Sequence, residues 1–142
     1  MAFNVLVVDD SAVMRQMVVR TLRMSGLPLG EMFEASNGEE GLFMLQEAWV
    51  DLLLLDINMP VMNGEEMLRT LRASPDTATL PVIVVSTEGS ETRLSALQEL
   101  GAAIVHKPFA PETLRDTILR VTGVTDVEYY GPVPVASNDG DF

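Results

Sequence analysis

The chain has 142 residues, a hydrophobic fraction of 47% and no cysteine, which is typical of one folded domain and excludes disulfides, thiolate metal sites and cysteine nucleophiles. Its formal net charge is -12, and so acidic a surface repels phosphate backbones and anionic lipids. The apolar runs are far shorter than the roughly 20 residues that cross a bilayer, and no basic segment followed by an apolar run opens the chain. The sequence therefore predicts a cytoplasmic protein with neither nucleic acid nor membrane among its partners.

Three continuous apolar runs, at residues 5–8, 52–55 and 82–85, predict buried strands. Unbroken hydrophobicity indicates burial on both faces, as in the centre of a parallel sheet that helices cover. Weaker strand candidates lie at residues 32–35 and 103–106. These segments give five predicted strands.

The segments between the strands have the apolar spacing of helices. Ser11 is a predicted N-cap, Asn37 opens the second helix, Gly64 and Ser90 precede the third and fourth, and Pro111 suits the first position of the fifth. Five strand–helix repeats with short connections predict a doubly wound α/β fold with a five-stranded parallel sheet and five helices.

The repeating pattern ends near Thr122, so the folded domain is predicted to span residues 1–122. Residues 123–142 contain two prolines, four acidic residues and no basic residue, which predicts an acidic, mobile C-terminal tail. Tyr129 and Tyr130 in this tail are candidates for docking on the domain.

Polar residues follow the predicted strands where they end. In an open parallel sheet, sites form beyond the carboxyl ends of the strands. One polar residue at a strand end is ordinary, whereas several at the same edge favour a site. The polar residues at these ends are Asp9, Asp10, Asp56, Ser86, Thr87 and Lys107, the last being the only lysine of the chain.

The charges of these residues predict a bound cation. Two carboxylates about 4 Å apart repel by roughly 4 kcal/mol at an effective dielectric constant of about 20, so three acids at one edge need a counter-charge. Mg²⁺ is bound by carboxylates together with waters and phosphate oxygens, and Lys107 can supply a second positive charge. The pattern therefore predicts a site for Mg²⁺ and phosphate.

Four sequence strings resemble the signature regions of response-regulator receiver domains, in particular those of stand-alone, CheY-like chemotaxis regulators. They are VLVVDDS at residues 5–11, LLLLDINMP at 52–60, VIVVST at 82–87 and KPF at 107–109. The resemblance covers about residues 3–122. It implies a flavodoxin-like fold with the strand order 2-1-3-4-5.

The resemblance also implies a role for each acidic residue. Asp56 would be the phosphoacceptor, whose carboxylate attacks the phosphoryl group of a phosphohistidine. Asp10 and Asp56 would ligate Mg²⁺ directly, Asn58 through its backbone carbonyl, and Asp9 through a water. The implied chemistry is self-phosphorylation and autodephosphorylation, without action on another substrate.

The remaining site residues complete this implied switch. Ser86 would hydrogen-bond one phosphoryl oxygen and Lys107 would pair with another, with a cis bond between Lys107 and Pro108. The implied partners are a sensor histidine kinase and a downstream target that contacts strands 4 and 5 and helix 4. No DNA-binding or catalytic domain is apparent, so output is expected through protein contacts, with a flagellar switch, a phosphotransfer protein or a kinase as alternatives.

Several positions depart from the family pattern or tune it. Ile104 occupies the place of a Tyr or Phe that swings inward on activation, and an isoleucine has no ring to swing. Thr87 stands where Ala or Gly is usual, and it either narrows access to the site or has no effect. Asn58 and Glu88 lie at positions that tune autodephosphorylation, so the phosphorylated form is predicted to be short-lived. Ala110 replaces a common Thr cap before the last helix.

Three alternative functions fit the sequence less well. A haloacid-dehalogenase-like phosphatase needs a second Asp two positions after its nucleophile, where this chain has Asn58. A pseudo-receiver lacks an acid or the lysine, and this chain lacks neither. A flavin-binding protein of the same winding needs a phosphate loop after the first strand, which is missing.

Two aromatic residues outside this pattern have simpler expected roles. His106, the only histidine, is predicted to be a structural or surface residue. Trp49 is predicted to pack at the end of the second helix.

Overall fold

The computed structural model describes residues 2–124 as five strands that alternate with five helices. The strands are β1 (Phe3–Val8), β2 (Leu29–Ala35), β3 (Leu52–Leu55), β4 (Val82–Ser86) and β5 (Ala103–His106). The helices are α1 (Ala12–Met24), α2 (Gly38–Glu47), α3 (Gly64–Ala73), α4 (Glu91–Glu99) and α5 (Pro111–Thr122). No helix within this described part is long and apolar enough to cross a membrane.

The sheet is parallel throughout and has the order β2-β1-β3-β4-β5. The predicted doubly wound, flavodoxin-like architecture is therefore confirmed. The last helix ends at Thr122, where the sequence pattern stops, whereas residues 125–142 of the predicted tail lie outside the described residues.

Two hydrophobic cores lie on opposite faces of the sheet. The first includes Val18 and Leu22 of α1 and Leu114 and Ile118 of α5. The second is covered by α3 and α4, with partly buried side chains of α2 at its margin. Every residue of β3 and β4 is buried, which explains why their sequences show no polar alternation.

Polar residues cap the helices largely as predicted. The side chains of Ser11 and Ser90 accept hydrogen bonds from the backbone three residues later, at the starts of α1 and α4. Asn63 and Glu66 form a reciprocal capping box at the start of α3. Ala110 makes no side-chain cap, as expected for its methyl group.

Two details of the sequence prediction need correction. Strand β2 begins at Leu29 rather than at residue 32, because it is an edge strand whose half-exposed residues leave no apolar run. The expectation that Trp49 packs at the end of α2 is wrong. Its side chain is 76% exposed, and its indole Nε1 donates a hydrogen bond to Asp51.

The loop between β3 and α3 contains a strained turn. Val61 has a φ of 68°, and the amide of Met62 donates to the carbonyl of Pro60 over 2.7 Å, which defines a γ-turn with positive φ. A β-branched residue rarely adopts this conformation. The carbonyl of Met62 accepts from the amide of Gly38 over 2.9 Å, so the turn is fixed to the start of α2.

Candidate functional site

The candidate site lies at the carboxyl edge of the sheet, where β1 and β3 end side by side. Val8 and Leu55 are partners in the parallel register, and the amide of Asp56 donates to the carbonyl of Val8 over 2.9 Å. The next residues along the two strands, Asp9 and Asp56, are therefore neighbours. The strand register alone brings these two acids together.

Three carboxylates converge at this edge. Oxygen atoms of Asp9, Asp10 and Asp56 all lie within 4.8 Å of one another. Asp9 is buried, Asp56 half-buried and Asp10 exposed. The Oδ1 atom of Asp9 accepts a hydrogen bond from the amide of Ser11 over 2.9 Å, which fixes its carboxylate at the start of α1.

Lys107 supplies a positive charge directly beside these acids. Its Nζ atom lies 3.5 Å from Oδ2 of Asp9 and 3.8 Å from Oδ1 of Asp56. The bond between Lys107 and Pro108 is cis, as the resemblance implies. One ammonium group faces three carboxylates, so the cluster keeps an excess of negative charge.

The end of β4 adds a hydroxyl group to the same edge. Ser86 is buried, and its carbonyl accepts from the amide of Lys107 over 2.9 Å. Its Oγ atom accepts from the amide of Glu88 over 2.8 Å. Thr87 is exposed and lines, with Lys107 and apolar residues of α1, a groove of about 330 Å³.

The electrostatics of the cluster favour a bound cation. Burial, reinforced by the negative charge of Asp9 and opposed by the positive charge of Lys107, raises the pKa of the Asp56 carboxyl above its ordinary value. A raised carboxyl pKa means that ionisation of Asp56 costs more free energy in the folded chain than in the unfolded one. Three hard oxygen donors with surplus negative charge are the ligand chemistry that Mg²⁺ requires, so these residues fit the predicted metal.

This raised pKa predicts that Asp56→Asn stabilises the folded chain at neutral pH in the absence of divalent cations. Because the pKa of Asp56 is higher in the folded state than in the unfolded one, ionisation of Asp56 lowers the free energy of unfolding. This loss of stability is absent below the unfolded-state pKa and develops as the pH rises through the folded-state pKa. Thermal melts in a chelator should show a gain of order 1 kcal/mol at pH 7 that vanishes near the ordinary pKa of Asp. Added Mg²⁺ should raise the Tm of the wild type more than that of the variant. A variant less stable than the wild type at pH 7 would contradict this account.

The other predicted site residues lie on the loops and strands around the cluster. Asn58 is exposed in the loop after Asp56. Ile104 is partly buried and packs against the core beneath α3 and α4. The carboxylate of Glu88 is bound by the first turn of α4, through the amide of Ser90 and the guanidinium of Arg93. His106 is exposed beside Ser86 in the sheet, as expected for a surface residue.

Two residues support the cluster in a way that the sequence analysis did not predict. Arg15 donates from Nη1 to the carbonyl of Asp9 over 2.6 Å and pairs through Nε with Glu34 at 2.9 Å. Gly64 lies against the backbone of Asp56, where a Cβ atom would meet the carbonyl oxygen. A glycine at the first position of a helix, just after a good cap, was the available signal, because glycine is otherwise a poor helix former.

Comparison with known proteins identifies the family. The family model of the response regulator receiver domain matches residues 5–119, which make up most of the chain. The chain belongs to the response regulator receiver family. This membership decides against the dehalogenase-like and flavin-binding alternatives.

Individual relatives of this receiver domain agree with the assignment. A chemotaxis protein CheY homolog of Campylobacter jejuni is 35% identical over 122 residues, which cover 84% of this chain and 92% of the relative. Chemotaxis protein CheY1 of Helicobacter pylori is 34% identical over 87% of this chain and 99% of its own length. The crystal structure of CheY4 from Vibrio cholerae has a TM-score of 0.74 and 38% identity, over 85% of this chain and 99% of that one.

The receiver domain is thus a response regulator of two-component signalling. Domains of this family are regulators that interact with histidine kinases and downstream targets. A protein-glutamate methylesterase of Bacillus licheniformis is 44% identical over 109 residues, but the match covers only 29% of that relative. The similarity to the methylesterase therefore concerns a minor part of its length.

Proposed function

We propose that this chain is a cytoplasmic, Mg²⁺-dependent phosphorylation switch whose phosphoacceptor is Asp56. The observation that carries the proposal is the position of the Lys107 ammonium, 3.8 Å from Asp56 and 3.5 Å from Asp9, within a cluster of three carboxylates. A carboxylate beside a fixed cation and surplus acidic ligands can accept a phosphoryl group if the approaching negative charge is neutralised.

The reaction is transfer from a phosphohistidine of a sensor kinase. A carboxylate oxygen of Asp56 attacks phosphorus as the bond from phosphorus to the imidazole nitrogen breaks, and the leaving imidazole nitrogen takes up a proton. The Lys107 ammonium pairs with one phosphoryl oxygen. The hydroxyl of Ser86, already placed at this edge by β4, donates to another. The product is an acyl phosphate on Asp56.

Four residues would hold the metal. Asp10 and Asp56 would ligate Mg²⁺ directly, Asn58 through its backbone carbonyl, and Asp9 through a water. The ion would supply neutralisation of the charge that develops on the transferred phosphoryl oxygens. The amide of Ser11 and the guanidinium of Arg15 hold the loop that carries Asp9 and Asp10, which orients these two acids before the ion arrives.

The signal would leave the domain through the face formed by β4, β5 and α4. The phosphoryl group adds nearly two negative charges beside Ser86 and draws its hydroxyl inward. Helix α4, which follows this loop, has a single fully buried residue, Leu97, so little packing opposes a shift of the helix. Ile104 on β5 takes part by packing, without the ring movement of an aromatic residue.

The lifetime of the phosphorylated form would be set by residues beside the acyl phosphate. Asn58 and Glu88 are polar groups two residues after Asp56 and Ser86, where they can orient an attacking water. Thr87, which lines the groove beside Lys107, would narrow access to the acyl phosphate. Autodephosphorylation through these residues would return the switch to its resting state without another enzyme.

Incubation with acetyl phosphate and Mg²⁺, followed by intact-mass measurement, tests the proposal. The wild type should gain the mass of one phosphoryl group, and neither Asp56→Asn nor wild type in excess chelator should gain it. Uptake of a phosphoryl group by Asp56→Asn would show that the phosphoacceptor is a residue other than Asp56. Failure of the wild type to take up a phosphoryl group would favour a pseudo-receiver, and steady hydrolysis of a generic phosphomonoester would favour a phosphatase.

A further inference from the structure

The carboxylate of Glu88 is held by α4 through both of its oxygens. Oε2 accepts a hydrogen bond from the amide of Ser90 over 3.0 Å, and Oε1 pairs with Nη1 of Arg93 at 2.8 Å. The side chains of this ion pair are only 19% and 34% exposed, so the pair is partly shielded from water. Hydrogen bonding from Ser90, aided by the positive charge of Arg93, lowers the pKa of Glu88 and keeps it ionised.

The same residue is joined to the phosphorylation site through its backbone. The amide of Glu88 donates to the Oγ atom of buried Ser86 over 2.8 Å. Its side chain binds α4, and the ion pairs of Lys107 in the described residues are with Asp9 and Asp56 rather than with Glu88. Glu88 thus has its backbone at the site and its negative charge on the neighbouring helix.

We propose that Arg93 is a positioning residue that restrains the Glu88 carboxylate on α4 and thereby prolongs the life of the phosphoryl group on Asp56. This inference rests on the proposed function. Arg93 itself lies in the first turn of α4, and within residues 2–124 its side chain makes its ion pair with Glu88 and none with the acidic cluster. It acts on the site only through Glu88.

The physical reason is the occupancy of the carboxylate oxygens. While Arg93 and Ser90 bind them, these oxygens are poorly available to accept the protons of a water molecule. Once released, an ionised carboxylate on the Ser86 loop can take a proton from a water whose oxygen attacks phosphorus, which is general-base assistance. The bond between phosphorus and the Asp56 oxygen breaks in the same step, so inorganic phosphate leaves and the Asp56 carboxylate is restored. The rate of phosphoryl loss is then set by the fraction of time for which the pair is open.

Phosphoryl lifetimes of matched variants test the proposal. Each protein is phosphorylated with acetyl phosphate and Mg²⁺, freed of donor by desalting into Mg²⁺ buffer, and followed by intact mass. Arg93→Gln should lose its phosphoryl group about two- to fivefold faster than the wild type, the range that corresponds to the measured strengths of partly exposed ion pairs. Arg93→Lys should restore most of the lifetime. Arg69→Gln, which breaks the exposed pair with Glu65 on α3, should decay at the wild-type rate.

A second comparison isolates the route through Glu88. Glu88→Leu should lengthen the lifetime, and the double variant Arg93→Gln with Glu88→Leu should decay as slowly as Glu88→Leu alone. Salt provides a check that needs no change at Arg93. Raising NaCl to about 1 M screens the pair, so decay should quicken in the wild type and not in Glu88→Leu.

The outcomes separate this inference from the function on which it rests. Decay of Arg93→Gln at the wild-type rate or more slowly would overturn the restraint, as would a faster decay that persists when Glu88 is leucine. Absence of phosphoryl uptake by the wild type would overturn the proposed function and this inference together. Uptake with an unaltered lifetime would overturn the inference alone.

Discussion

Arg72→Met is expected to lower the free energy of unfolding by about 3 kcal/mol and the Tm by about 10 °C. The guanidinium of Arg72 binds four backbone carbonyls. Nε donates to Leu100 over 2.6 Å, and Nη1 donates to Thr77, Ala78 and Leu80 over 3.3, 3.1 and 2.8 Å. Methionine preserves most of the aliphatic part of the arginine side chain but has no hydrogen-bond donor. The four backbone carbonyls therefore lose their hydrogen-bond partner in a half-buried environment.

The effect should be large because Arg72 joins two connections of the sheet. Residues 77–80 precede β4 and Leu100 precedes β5, so one side chain fixes the amino ends of both strands. Burial lowers the pKa of Arg72, but an arginine stays protonated throughout the accessible pH range. Arg72→Lys should recover only part of the loss, since an ammonium group lacks the planar fork that reaches carbonyls on both connections.

Arg69→Met in the same helix is the matched control. Its side chain is 58% exposed and, within residues 2–124, pairs only with Glu65 one turn earlier, so the free energy of unfolding should change by less than about 0.5 kcal/mol. Urea and thermal unfolding of both variants provide the measurement. Equal changes in the two proteins would show that the carbonyl contacts of Arg72 contribute little.

The sequence predicted most of the fold because burial on both faces leaves an unmistakable pattern. The runs at residues 5–8, 52–55 and 82–85 became β1, β3 and β4, the three inner strands. Strand β2 lies at the edge and mixes half-exposed with exposed residues, so its first residues were missed. The prediction failed only at the exposed beginning of this edge strand, whereas β5 at the other edge was predicted at its observed bounds.

The candidate site was partly predictable for a related reason. Parallel strands end at a common edge, so the acids after β1 and β3 had to meet there, and Asp9 and Asp56 do. The supporting contacts of Arg15 and Arg93 were not predictable from spacing. Each arginine binds a loop residue, and which loop lies within reach depends on how its helix packs.

Conformational strain was also invisible in the sequence. Nothing in the residue type of Val61 indicates a positive φ, which a β-branched side chain disfavours. The turn is fixed instead by contacts around it, through the hydrogen bond from Gly38 to the carbonyl of Met62. Tertiary contacts override local preference at this point, immediately before the helix that supports Asp56.

Gly64→Ala is expected to lower the free energy of unfolding by about 1–3 kcal/mol, the usual cost of overpacking. It should also slow phosphorylation by acetyl phosphate at least about tenfold, because small displacements of a reacting group are costly. A Cβ atom at this position would meet the carbonyl oxygen of Asp56 and lie 2.9 Å from the Cα atom of Ile57. Both are backbone atoms, so no side chain can move aside to make room.

The loss of rate follows from what must shift. The amide of Gly64 donates to the carbonyl of Ile57 over 2.8 Å, so the start of α3 and the end of β3 are held in contact. An added methyl group therefore pushes the backbone of Asp56 away from α3 and alters the 3.8 Å separation of its carboxylate from Lys107. The free energy of unfolding and the rate of phosphorylation should therefore decrease together, since the same backbone displacement lowers both.

Gly89→Ala is the control for the change of residue type. No atom lies within 4 Å of a Cβ built at Gly89, so this variant should unfold at nearly the wild-type temperature. Phosphorylation rates are to be compared at a temperature where circular dichroism shows Gly64→Ala to be fully folded, which separates misplacement of Asp56 from loss of structure. A folded Gly64→Ala that accepts the phosphoryl group at the wild-type rate would show that Asp56 tolerates displacement and that its contact with α3 does not position it for the reaction.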